Sequence, residues 1–222
     1  MTARRTPPDR GRARPAPAPR PPARRAAHEV RIVGGRWKRT RLPVADRPGL
    51  RPTPDRVRET LFNWLAHRGG GDLTGWRCLD AFAGTGALGL EAASRGAAAV
   101  TLVEQDPGLV AGLHAVVQRL GATGVQVRRG DGLAVLRQAP AGALDLVFLD
   151  PPFDAGLFEP ALDAAAAAVA PGGLVYLEAP RAWTDAELGL RGLQTLRHLQ
   201  AGAVHAHLLV RGGSASAGPV PA

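Results

Sequence analysis

From Trp76 onward, short apolar runs alternate with longer stretches whose apolar residues recur at helical spacing. "RCLDAFA" reads as a buried strand and "GALGLEAASRG" as a helix closed by Gly96. "AAVTLVEQD" is a second strand, followed by "PGLVAGLHAVVQRLG", a helix opened by Pro107 and closed by Gly121. Proline suits the first helical turn and glycine the left-handed position after the last, so both limits have a physical cause. "GVQVRRGD" is a third strand, with a short helix over "GLAVLRQA". "LDLVFLD" is a fourth, then a helix runs through "LFEPALDAAAAAVA" to Pro171-Gly172-Gly173, and "LVYLEAP" is a fifth strand. "LQTLRHLQAG" and "AVHAHLLVR" suit an antiparallel finish. Repeated strand–helix units with buried strands predict an α/β fold, a doubly wound and mostly parallel sheet with helices on both faces. Such sheets bind ligands beyond the carboxyl ends of their strands, where the strand order reverses. Chemistry is therefore expected in the loops after the first, second and fourth strands.

Ahead of this region the pattern changes. "HEVRIVGGRWKRTRLPV" has two extended runs around Gly34-Gly35, which predicts an N-terminal β-hairpin with a loose turn. Arg36, Lys38 and Arg41 lie on it, with Arg39 on the opposite face of a regular strand. In "RPTPDRVRETLFNWL", Pro54 suits a first helical position and Thr53 an N-cap. Val57, Leu61, Trp64 and Leu65 make its core face, and Arg56 and Arg58 project elsewhere. Residues 1–27 are Arg, Pro and Ala with almost nothing large and apolar, so a disordered tail is expected. The expected organisation is that tail, a hairpin-and-helix unit over 28–68, the main domain over 69–211, and a loose tail over 212–222.

Composition changes this picture in three places. The 222 residues are 45% hydrophobic, enough for one well-buried domain. No apolar run approaches the roughly 20 residues that span a bilayer, and no apolar core follows the basic N-terminus as in a secretory signal. With a single cysteine, Cys78, an internal disulfide and a cysteine-rich zinc site are excluded, and a reducing cytoplasm is expected. Charge is unevenly placed: residues 1–68 hold 18 Lys+Arg against 5 Asp+Glu, net +13, and residues 69–222 hold 10 against 14, net −4. A basic arm on a mildly acidic body suits a polyanionic partner, although a solvated arm would read the same.

The loop after the first strand, "DAFAGTGALGLE", satisfies G-x-G-x-x-G through Gly84, Gly86 and Gly89, with Glu104 20 residues past Gly84. A dinucleotide, S-adenosylmethionine and a plain tight turn with a buried Asp all compete for it. Asp80 tilts the choice. An anionic side chain at the strand end repels a diphosphate but attracts a sulfonium and an ammonium group, and S-adenosylmethionine carries both. Glu104 can accept the ribose hydroxyls of either cofactor. Asp131, after the third strand, can hydrogen-bond an adenine amino group or cap the following helix.

After the fourth strand comes "DPPF". An exocyclic amine is a poor nucleophile while its lone pair is delocalised. Two acceptors that hold its N–H groups can free that lone pair. The Asp150 carboxylate is one candidate and the Pro151 carbonyl the other, with Pro152 keeping residue 151 extended. Phe153 offers a face on which a base can stack. This is catalysis by positioning and electrostatics. A proline-terminated strand with Phe153 in the core is the plain alternative.

Together these residues resemble the class I methyltransferase set, and D-P-P-F is similar to the [DNS]-P-P-[YFW] motif of nitrogen methyltransferases. "RIVGGRWKRTRLPV", "GLRPTPDRVRETLFNWL" and "CLDAFAGTGALGLEA" closely resemble the RsmD family of bacterial 16S ribosomal RNA guanine-N2 methyltransferases, over about Val30 to Arg211. The resemblance implies a Rossmann-like class I methyltransferase fold, a mostly parallel seven-stranded sheet with an antiparallel last strand plus the N-terminal hairpin. It implies S-adenosyl-L-methionine as donor and N2 of one guanine as acceptor, in 16S rRNA within a 30S assembly intermediate. Asp150, Pro151, Pro152 and Phe153 would be catalytic. Asp80, Ala81, Gly84, Gly86, Glu104, Gln105, Asp131 and Gly132 would hold the cofactor. Arg31, Arg36, Lys38, Arg39, Arg41, Arg56 and Arg58 would lie against RNA. A cytoplasmic monomer is expected. Two departures stand out: the long Arg/Pro-rich start, and "AGAVHAHLLV" where a more aromatic strand is expected. His205 and His207 share a strand face, but with no third ligand in view no metal is expected. Other readings are a DNA adenine or protein amide methyltransferase, a non-enzymatic assembly factor, and a dehydrogenase.

Overall fold

The computed structural model describes residues 30–44, 53–153 and 155–213; the expected tail over 1–27 and most of the one over 212–222 lie outside them. Seven strands form one sheet in the order β5-β4-β3-β6-β7-β9-β8. They are β3 (Arg77–Asp80), β4 (Ala99–Glu104), β5 (Val125–Arg129), β6 (Leu144–Leu149), β7 (Val169–Ala179), β8 (Leu193–Ala201) and β9 (Val204–Arg211). The first five are parallel, and β9 runs antiparallel to both β7 and β8. Strand order reverses at β3, whose neighbours are β4 and β6. The predicted crevice thus opens between the ends of β3, β4 and β6.

Helices cover both faces. On one side, α1 (Asp55–Gly69), α2 (Ala87–Ser94) and α3 (Pro107–Leu120) bury Leu61, Leu65, Leu90, Leu113 and Val116 against Leu102, Phe148 and Tyr176. On the other, α4 (Gly132–Gln138), α5 (Phe158–Ala168) and α6 (Asp185–Gly189) bury Leu136, Leu162, Ala165 and Leu188 against Val147, Val175 and Leu209. Small β1 (Val30–Arg31) and β2 (Arg41–Leu42) pair antiparallel. Val30, Ile32 and Leu42 join the first cluster, so the N-terminal unit shares the core of the sheet.

Several expectations need correction. The hairpin has strands of only two residues, and its turn runs from Gly34 to Arg39, with Arg39 itself in the left-handed region at φ 71°. The reason is tertiary: Ser94 of α2 clamps the turn. Its hydroxyl donates to the Gly34 carbonyl at 2.7 Å and accepts from the Trp37 amide at 2.9 Å, and its carbonyl takes the Arg36 amide at 2.7 Å. Gly35, at φ 71°, lies so close that a Cβ would stand 2.0 Å from that carbonyl oxygen. Helix α1 starts at Asp55 behind Pro54, without a side-chain cap, because the Thr53 hydroxyl is engaged elsewhere. Helix α5 ends at Ala168, and β7 begins at Val169, short of the predicted Pro-Gly-Gly stop. Helix α6, with its Thr184–Glu187 capping box, has no counterpart among the predicted elements.

Candidate active site

Asp80 ends β3 and is almost fully buried. Its Oδ2 accepts the Gly89 amide at 3.0 Å, and Gly89 is the third residue of α2. The carboxylate thus sits on the unsatisfied donors of a helix N-terminus, the place where a dinucleotide would put its pyrophosphate. Gly89 is held to glycine by packing, since a Cβ would come within 2.2 Å of Leu102. Burial pushes the Asp80 carboxyl up to about 7, against the pull of the Gly89 and Phe82 amides, with Glu104 and Glu178 adding to the rise. A buried acid held by backbone donors and crowded by other acids suits a cationic ligand group.

Glu104, at the end of β4, braces the glycine loop. Its Oε2 accepts the Gly84 amide at 2.9 Å and its Oε1 the Gln105 and Asp106 amides at 2.8 and 2.9 Å. Carboxylate oxygens have spare lone pairs, so ribose hydroxyls can still be accepted there. Gly84 and Gly86 both take positive φ, 51° and 76°, and Gly86 caps α2. Asp131 caps α4 through the Leu133 amide at 2.9 Å, which is the plain role foreseen for it. Gly132 packs against Ala81, where a Cβ would stand 1.8 Å from the carbonyl oxygen. The two are buried, and Gln105 is exposed.

Asp150 follows β6, one position past Leu149, which pairs with Leu177 of β7. Leu79 and Asp80 pair with Val147 and Phe148 of β6 on its other side. Asp80 and Asp150 therefore stand at the ends of adjacent strands and point to one face, that of α1 and α2. Burial, then Glu178 and Asp80, hold the Asp150 carboxyl well above the usual range. Pro151 is buried and Pro152 exposed. Phe153 is 42% exposed, its ring 6.0 Å from that of Phe158. Phe153 therefore lies outside the core, with its ring accessible.

The basic residues divide. Arg31, Arg36, Lys38, Arg39, Arg41 and Arg56 lie at the surface, although Arg31 pairs with Asp55 at 2.7 Å. Arg58 does not project outward at all; it is wholly buried. It donates to Asp55 at 2.5 Å and to the Thr53 carbonyl at 3.1 Å, and faces Glu91 at 3.5 Å. Burial lowers its pKa while Asp55 and Glu91 support the charge. Its spacing of three, four and seven residues to Leu61, Phe62 and Leu65 sets it on the buried face of α1, and packing supplies the acids that meet it.

Glu178, near the end of β7, is not among the residues expected at the site. It is buried, and its Oε1 accepts the Thr53 hydroxyl at 2.6 Å and the Tyr176 hydroxyl at 2.9 Å. The signal that could find it is an acid at a strand end, the same signal that marks Asp80 and Asp150. The third imidazole was also missed: His198 lies 4.6 Å from His207 and 5.2 Å from His205, ring centre to ring centre. His207 is nevertheless committed to structure, its Nε2 accepting the Trp183 amide at 3.1 Å. No metal-binding cluster is found among the described residues.

The model of the family described as conserved hypothetical protein 95 matches residues 30–210. The chain belongs to this family, that of the RsmD methyltransferases. Among its relatives is the ribosomal RNA small subunit methyltransferase D of Escherichia coli K12, 48% identical over 131 residues. That match covers 59% of this chain and 64% of the relative's length. The enzyme of the same name from Haemophilus influenzae is 38% identical over 191 residues, covering 79% of this chain and 95% of its own. A solved Escherichia coli structure, 38% identical, superposes with a TM-score of 0.71 over 84% of this chain and 99% of that one. The fold is that of the class I methyltransferases. The same fold reaches a [4+2]-cyclase at 16% identity and TM-score 0.58. Fold alone therefore does not decide the chemistry, which rests on the residues at the strand ends.

Proposed function

We propose that the protein transfers a methyl group from S-adenosylmethionine to the exocyclic N2 amine of one guanine in small-subunit ribosomal RNA, on a partly assembled 30S particle in the cytoplasm. The observation that carries this reading is the placement of Asp80 and Asp150 at adjacent strand ends on one face, behind a glycine loop braced by Glu104. Bound there, the cofactor supplies an electrophilic methyl on a cationic sulfur. Asp80 offers the cation a carboxylate that already lacks solvent. Glu104 would accept the ribose hydroxyls, and Asp131 and Gly132 would hold the adenine. Asp150 and the Pro151 carbonyl accept the two N–H groups of the amine and aim its lone pair. Phe153 stacks on the base. With the methyl moved from the cofactor's sulfur to nitrogen, Asp150 or water would take the N–H proton that the amine gives up.

The exposed hairpin cations, Arg36, Lys38, Arg39 and Arg41, suit RNA phosphates. Relatives named for small-subunit ribosomal RNA support RNA over DNA. No helix among the described residues is long and apolar enough to cross a membrane. Nucleoside mass spectrometry of 16S RNA from a deletion strain tests the proposal. A wild-type copy restores N2-methylguanosine and an Asp150→Ala copy does not. Full restoration by Asp150→Ala removes Asp150 from the chemistry, and loss of N6-methyladenine from DNA instead transfers the reading to a DNA substrate.

A further inference from the structure

Glu178 is a buried carboxylate that the proposed chemistry leaves without a task. Strand register puts it beside Asp150: Phe148 pairs with Tyr176 and Leu149 with Leu177, so the next positions are Asp150 and Glu178. Its carboxylate takes two hydroxyls on one oxygen, from Thr53 at 2.6 Å and Tyr176 at 2.9 Å. Tyr176 belongs to the same strand and packs edge-on to Phe148, 6.3 Å between ring centres. Thr53 comes from 125 residues away in the chain and is 4% exposed. Its carbonyl is held at the same time by Arg58 Nε at 3.1 Å. The residue is thus gripped twice, by its backbone from α1 and by its side chain from the catalytic end of the sheet.

We infer that Glu178 is a positioning residue of the methyl-transfer site, which acts through Thr53 to fasten the chain entering α1 across the end of β7 beside Asp150. The inference rests on the proposed reading of that site. A carboxylate suits the task because both partners are buried hydroxyl donors that need an acceptor. The segment so fixed opens α1, whose Asp55 pairs with Arg31 of the basic hairpin unit at 2.7 Å.

The test uses the full chain and no RNA. Affinity for S-adenosylmethionine is measured by titration calorimetry, and amide hydrogen exchange is followed over residues 53–58. Removal of this buried hydrogen bond predicts an affinity loss of about tenfold for Glu178→Ala and for Thr53→Val, with faster exchange over the segment. Thr53→Ser and Glu178→Gln keep the bond and stay near wild type. The double variant Glu178→Ala/Thr53→Val is no weaker than the worse single one, because both substitutions remove the same hydrogen bond. Unchanged affinity and exchange in Thr53→Val overturn the inference. So does a Glu178→Gln variant as weak as Glu178→Ala beside a normal Thr53→Val, which would mean that charge rather than the clamp matters. If Glu178→Ala does not fold, Thr53→Val decides alone. A wrong acceptor base would leave these results untouched, and their failure would leave the guanine reading standing.

Discussion

Arg58 and Glu91 face each other at 3.5 Å with neither side chain exposed, and so tie α1 to α2 inside the core. Glu91 also accepts the Val33 amide at 2.7 Å and Arg95 Nε at 2.8 Å. One buried carboxylate therefore joins the hairpin, the helix behind it and the helix whose other end receives the glycine loop.

Breaking a buried pair costs more than making it gains, because the remaining charge is left without its partner. Arg58→Ala is expected to destabilise the fold by about 3 kcal/mol, the lower part of the usual range since Arg95 still serves Glu91. Denaturant unfolding measures this. The salt dependence of RNA binding should stay unchanged, in keeping with a structural arginine.

The hairpin cations should behave in the opposite way. Arg36→Ala, Lys38→Ala and Arg39→Ala are expected to leave stability nearly intact. Removing one cation from a phosphate should lower the slope of log affinity against log salt by about 0.7 to 0.9. Binding titrations at several salt concentrations read this directly, and slopes equal to that of the wild type would remove the hairpin from the RNA interface.

The buried Asp80 carboxyl, raised to about 7, gives a pH signature with a definite sign. A carboxyl raised in the folded state contributes stability that is complete below its ordinary value, near 4, and is lost as pH climbs toward 7. Relative to wild type, Asp80→Asn should therefore gain stability steadily across that window. Cofactor binding should show the converse. A cation beside Asp80 favours the ionised form, so binding releases a proton below about pH 7, and affinity rises with pH up to about 7 and levels off above it. Calorimetry in two buffers of different ionisation heat detects the release, and Asp80→Asn should abolish it.

Asp150→Ala is expected to lower the methyl-transfer rate by about 10²- to 10³-fold, the usual cost of one preorganised electrostatic interaction. Cofactor affinity should change little, because Asp150 addresses the acceptor amine. Asp150→Asn keeps an oxygen acceptor and should fall between the two in single-turnover assays.

Gly132→Ala should cost about 2 kcal/mol or more, since a Cβ there stands 1.8 Å from the Ala81 carbonyl oxygen and the start of α4 must shift. Gly130→Ala, with nothing within 4 Å and an ordinary φ, is the control. Thermal melts of both separate the packing effect from any helix preference.

Much of this is legible in the chain itself. Periodicity places the βα units, and Pro107 and Gly121 mark both ends of α3 because their backbone preferences are local. Asp80, Glu104 and Asp150 stand out because an acid that ends an apolar strand, with Gly or Pro within four residues, carries a local signature. Arg58 is misplaced when its charge alone is read: helical spacing sets it with Leu61, Phe62 and Leu65, and Glu91, 33 residues on, meets it there. The hairpin turn is mislocated because Ser94, about 60 residues away, sets its shape.

By itself, then, the sequence determined the order of elements, the glycine loop and the strand-end acids, since each rests on interactions between near neighbours. Packing of distant segments was needed to bring Asp80, Asp150 and Glu178 to one desolvated end of the sheet, to bind Thr53 to Glu178 rather than leave it capping α1, and to set Glu91 against Arg58. Those outcomes depend on strand register and on pairings such as Arg58 with Glu91 and Thr53 with Glu178, far apart in the chain, which no local pattern encodes.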